Sequence, residues 1–197
     1  MRRVPRWLFL CAVLPAAGVH AQDYIIDSTR SHAEFDVKVM WLIGIRGDFG
    51  AVKGKLRVDL FHGTAMVDAE IDTDNLHMRT HSYENWAKSN EFFDSAQFPK
   101  IHFVSDSFPI VRMSHGGDLD GMLTLRGIEH PVHLTIDAAD CTDPLQGECA
   151  VEAWGSIYRS EFGMQSRRGA LSDKVQLRFS AFVDRQPVQH RDPDRGS

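Results

Sequence analysis

From Ala33 the chain places apolar residues at every second position, Ala33, Phe35, Val37, Val39 and Trp41, with Glu34, Asp36 and Lys38 between them. Successive side chains of a β-strand point to opposite faces, so this is the pattern of a strand buried on one side. The alternation returns over 56–59, 67–72, 101–105, 119–125, 132–138, 151–157 and 175–183. It predicts eight strands. Short turns between neighbours, notably Arg126-Gly127-Ile128-Glu129, make the pairing antiparallel and exclude a parallel α/β fold. One segment breaks the period: between Arg79 and Asn90, Tyr83, Trp86 and Ala87 recur at helical spacing and predict one short helix. Eight antiparallel strands either close into a barrel or stack as a sandwich, and the period does not choose between them.

The two ends read differently from the middle. Arg2, Arg3 and Arg6 precede an apolar run from Trp7 to Leu14, and Val19-His20-Ala21 supplies the small residues of a cleavage site. This is the layout of a secretory signal peptide over 1–21, cleaved after Ala21, followed by a barrel over 22–185. The run is too short to span a bilayer. After Val183 the chain is polar and broken by Pro187 and Pro193, with nothing to bury, which predicts a disordered tail over 186–197. Loss of the signal leaves Cys141 and Cys149, eight positions apart in a polar stretch. In an oxidising compartment such a pair is expected to form a disulfide.

Composition narrows the function. With 197 residues, 43% hydrophobic and 25% charged, the chain fills one core. The whole chain carries a net charge of −5 and the cleaved form would carry −8, which argues against a nucleic-acid partner. There is no Gly-x-Ser-x-Gly elbow, no phosphate-binding glycine loop and no dinucleotide fingerprint. An enzyme reading rests on His77 and His81, four apart, with Glu84 nearby, but the residue after His77 is Met78 where a zinc protease carries glutamate. No cofactor and no metal site are expected.

Five runs taken together resemble the YceI family of periplasmic proteins. They are 24–27 with 31–35; 47–50, read as a glycine-phenylalanine turn; 89–94 with 98–103; 121–127 with 131–132; and 158–164. The resemblance covers about residues 24–185. It implies an all-β, eight-stranded, antiparallel, lipocalin-like barrel with one short helix, whose apolar channel holds a polyisoprenoid or similar amphiphile for storage or transport without catalysis. Isoprenoid quinones, polyprenyl phosphates and fatty amides are the expected ligand class. On this reading the ligand-binding residues are Phe35, Val37, Val39, Trp41, Phe49, Trp86, Phe92, Phe93, Ile101, Phe103, Leu123, Leu125, Leu134, Arg159, Phe162, Leu177 and Phe179. Arg159 and the pair Arg167-Arg168 are candidates to grip a phosphate head group, whereas Trp154, of opposite parity to Val151, Ala153 and Ile157, is expected to face outward. The family's frequent histidine before Phe92-Phe93-Asp94 is replaced by Trp86, and another near the end of the first long strand falls at Met40 and Trp41. The alternatives are a hydrolase of lipid amides or esters, or a quinone-handling partner of a membrane cytochrome; pairing into a homodimer is a further expectation.

Overall fold

All eight alternating segments form strands, and four shorter or less regular ones join them, in a computed structural model that describes residues 21–40, 42–167 and 169–184. Residues 1–20 of the expected signal peptide, Trp41, Arg168 and the expected tail over 186–197 lie outside the described residues. The strands are β1 (Ala21–Ile25), β2 (His32–Val39), β3 (Ile43–Phe49), β4 (Val52–Asp59), β5 (Thr64–Asp72) and β6 (Leu76–Met78). They continue as β7 (Lys100–Ser105), β8 (Phe108–Pro109), β9 (Gly117–Leu125), β10 (Ile128–Ile136), β11 (Val151–Tyr158) and β12 (Leu171–Ala181). The expected count of eight is therefore corrected to twelve among the described residues, the additions being β1, β3, β6 and β8. The expected helix is α1 (His81–Lys88), and a single-turn helix, α2 (Arg112–His115), is a second that the sequence reading did not include.

The strands form one antiparallel sheet in the order β1-β4-β5-β7-β9-β10-β11-β12-β2-β3-β6, with β8 added beside β5. The sheet curls until the chain leaving its edge strand β1 meets the chain leaving β12: Ile26 forms a bridge with Val183, Asp27 N donates to Phe182 O at 2.8 Å and Asp184 N to Ile25 O at 2.7 Å. The β9–β10 turn shows how sequence sets this shape. Leu125 faces Ile128 across a two-residue loop in which Arg126 and Gly127 have φ of 54° and 71°, the twist that matches a hairpin and that glycine accepts freely.

The inward faces make two apolar clusters, one around Phe35, Leu76, Phe92 and Ile157, the other around Leu56, Val58, Phe108 and Ile136. Burying each such side chain is worth roughly 1.5–3 kcal/mol, so these clusters are what hold the curl. In the β10–β11 connection Cys141 and Cys149 are disulfide-bonded with Cα atoms 6.0 Å apart. Among the described residues no helix is long and apolar enough to cross a membrane.

Candidate functional site

Inside the curled sheet lies a cavity of about 190 Å³ whose wall draws on both apolar clusters. Among the described residues its only charged lining residues are Glu34 and Arg159, and Tyr83 adds a phenol; the remaining wall is apolar. Strand alternation explains this, because β2, β5, β9 and β12 each turn alternate residues inward. From β2 and β3 come Phe35, Val37 and Phe49; from β7, Ile101 and Phe103; from β9 and β10, Leu123, Leu125 and Leu134; from β12, Leu177 and Phe179.

The segment from α1 to β7 closes one side. Thr80 caps α1 by accepting from Tyr83 N at 3.4 Å, which sets the helix so that Tyr83, Trp86 and Ala87 reach the cavity. Phe92 and Phe93 follow from the loop. Trp86 and Phe92 meet edge-on with centroids 4.5 Å apart, and Phe93 stands against Phe35 and Phe49 at 5.5 and 5.2 Å. Such edge-to-face pairs add to the stabilisation from burial and fix the ring directions.

Fourteen of the seventeen residues expected to bind ligand thus line the cavity. Of the other three, Val39 is half-buried and packs against the first cluster without lining the space. Phe162 is fully buried in the 3₁₀ turn Arg159–Phe162, which packs between β10 and β12, and its ring lies 5.3 Å from His130. It seals the wall from outside the cavity, so it does not line the space as expected. Trp41 lies outside the described residues.

Arg159 differs from the expectation in its bonding. It is 2% exposed, and its guanidinium donates to the carbonyls of Met164, Ser166, Leu171 and Ser172 at 2.6–3.2 Å. It clamps the 163–171 loop from within. Arg167, by contrast, reaches the rim: its guanidinium sits 5.3 Å from the Trp86 ring centre, with Nε 3.9 Å from Glu91. Trp154 is 46% exposed and donates from Nε1 to Asp137 at 2.9 Å, so it does face outward.

Sequence reasoning passed over several wall residues, among them Met78, Met113, Met164, Ile45 and Tyr83. The inward parity of Ile45 with Phe49 was a usable signal, whereas Met78 and Met113 sit in short elements and Met164 in a loop, none of which carries a period. His77 lies on β6 opposite Asp48 while His81 opens α1, so the two do not share a helix face. Glu84 bonds Lys88 at 3.0 Å, and this hydrogen bond lowers its pKa. No group of three metal-ligating side chains converges among the described residues.

The pattern that defines the YceI-like domain matches residues 24–182. The chain belongs to the YceI family. A UPF0312 protein from Pseudomonas fluorescens is 31% identical over 178 residues, covering 86% of this chain and 90% of that relative. Among solved structures, BcnA of Burkholderia cenocepacia superposes with a TM-score of 0.64 at 18% identity, covering 80% of this chain and 98% of BcnA. A polyisoprenoid-binding domain from Saccharophagus degradans, implicated in plant cell wall breakdown, superposes at 0.60 and 12% identity over 81% of this chain and 97% of that one. At these identities the two structures establish the fold: this YceI-family chain shares their lipocalin-like, curled antiparallel architecture.

Proposed function

We propose that this protein is a periplasmic carrier that holds a slim-tailed amphiphile, an isoprenoid quinone, polyprenyl phosphate or fatty amide, with its tail in the cavity and its head at the Trp86–Arg167 rim, and performs no covalent chemistry. The observation that carries this reading is the nearly unbroken apolar wall, which offers a hydrocarbon tail burial worth about 0.8 kcal/mol per methylene and offers a polar ligand few partners. At about 190 Å³ the free space falls below the roughly 300–1,000 Å³ of sites for drug-sized molecules, which favours a thin flexible chain over a broad rigid ring system. Met78, Met113 and Met164 on the wall are unbranched and re-pack readily, so the space can lengthen as a tail enters. The polyisoprenoid-binding domain with the same fold supports the isoprenoid assignment, and the basic-apolar-small N-terminus together with the disulfide supports export.

The test is native mass spectrometry of the protein recovered from a bacterial periplasm, followed by organic extraction. The expected result is a stoichiometric adduct released as an isoprenoid or fatty lipid. Protein that is recovered empty and takes up neither polyprenyl phosphate nor quinone from detergent would overturn the proposal.

A further inference from the structure

Two turns expose large apolar side chains, one at each end of the barrel. At the β2–β3 turn Leu42 is 88% exposed, Ile43 64% and Met40 61%; at the β4–β5 turn Phe61 is 91% and Leu60 58%. Each continues an inward-facing strand whose deeper residues line the cavity. Ala33, Phe35 and Val37 of β2 and Phe49 and Ile45 of β3 line the cavity, and the same parity continues outward through Val39, paired with Ile43. One apolar track therefore runs from the cavity wall to the exposed hairpin tip. Behind Leu60, Val58 is fully buried in the second cluster and, like Val39, does not line the cavity, while Leu56 beyond it does.

What separates the two tips is their polar surroundings. Asp59 sits within the β4–β5 turn, accepting from the backbone N–H groups of Phe61 and His62 and pairing with the His62 ring at 2.6 Å, so that end carries a carboxylate beside its apolar side chains. The β2–β3 tip is flanked by exposed Lys38 and is tied by Met40 N to Ala170 O at 2.7 Å, in the loop that carries exposed Arg167. Apolar side chains with cations behind them match a bilayer surface, where the former enter the acyl boundary and the latter meet phosphates.

We propose that the β2–β3 tip docks on a lipid bilayer and that cargo passes along this track between membrane and cavity. The route of transfer rests on the carrier reading; the docking itself does not.

The experiment uses vesicles of phosphatidylethanolamine and phosphatidylglycerol with the wild-type protein, Leu42→Asp and, at the opposite end, Phe61→Asp. Flotation with cargo-free vesicles reads docking. Uptake of an isoprenoid quinone from loaded vesicles reads transfer, and uptake of the same quinone from detergent reads the cavity alone. Wild type and Phe61→Asp are expected to float, and Leu42→Asp to float about tenfold less and to draw quinone from vesicles about tenfold more slowly, with uptake from detergent unchanged. Flotation of Leu42→Asp at the wild-type level, or an equal loss in Phe61→Asp, would overturn docking by this tip. A wild-type protein that floats but takes no quinone even from detergent would overturn the carrier reading and leave the docking assignment standing.

Discussion

The guanidinium of Arg167 lies 5.3 Å from the centre of the Trp86 ring, and Glu91 holds the pair in place: it accepts from Trp86 Nε1 at 3.2 Å and stands 3.9 Å from Arg167 Nε. The Trp86 ring fills the cavity rim and turns a cation toward solvent, where the head of a bound amphiphile would emerge. Arg167→Ala should weaken binding of a polyprenyl phosphate by roughly tenfold, the effect of losing a charge-assisted hydrogen bond, and leave the uncharged polyprenol unchanged. Titration of both ligands into the two proteins, followed by fluorescence, checks this; an equal loss for both ligands would remove Arg167 from head-group recognition.

Gly47 tests how tightly the aromatic wall is built. A Cβ there would come within 2.3 Å of the Phe35 ring, which itself stands against Phe49 and Phe93. Gly47→Ala must push Phe35 into the cavity. The expected cost is about 1–3 kcal/mol, seen as a lower midpoint of urea unfolding with an unchanged slope, together with reduced uptake of quinone from detergent.

These cases show what the sequence could and could not carry. Period-two segments were legible because burial on one face leaves a regular trace, and each of the eight became a strand. β3 was missed although Ile43, Ile45 and Phe49 alternate, because Gly44 and Gly47 interrupt the pattern and 47–50 reads as a turn; Gly47 instead lies in the strand beneath the Phe35 ring. β6 and β8 are too short for any period to show. Parity marked most of the inward strand residues of the wall, while the expectation of an open channel came from the family resemblance. Parity did not place Phe162, since a 3₁₀ turn obeys neither period, and Arg159 was read for its charge when its position makes it a clamp.

Arg159 therefore carries a prediction about stability. Four backbone carbonyls of the 163–172 segment accept from one buried guanidinium, a fan of donors that the three N–H bonds of lysine cannot reproduce. Arg159→Lys should cost about 3 kcal/mol and lower the melting temperature of the ligand-free protein by roughly 6–12 °C. Calorimetry without ligand is the check, because a residue serving only the head group would leave that temperature unmoved.

The closure of the sheet is expected to depend on acid. Asp27 follows the Ile26–Val183 bridge; its carboxylate accepts from the Thr29 hydroxyl at 2.6 Å, from Arg30 Nε at 2.5 Å and from Thr29 N at 2.9 Å. These bonds, the Thr29 hydroxyl foremost, hold its pKa down to about 2. Arg30, so fixed, lies 4.5 Å from the Phe182 ring centre and donates to Gly147 O, tying the start of β2 to the end of β12 and to the disulfide loop. A carboxyl whose pKa is lower folded than unfolded stabilises the fold above its unfolded value near 4, and that stabilisation is lost as pH falls towards 2. Asp27→Ala should therefore melt below the wild type at pH 7, with the difference shrinking between about pH 4 and pH 2. Paired thermal melts across that range decide it: a difference that stays constant with pH would mean that the ionised carboxylate does not secure the closure.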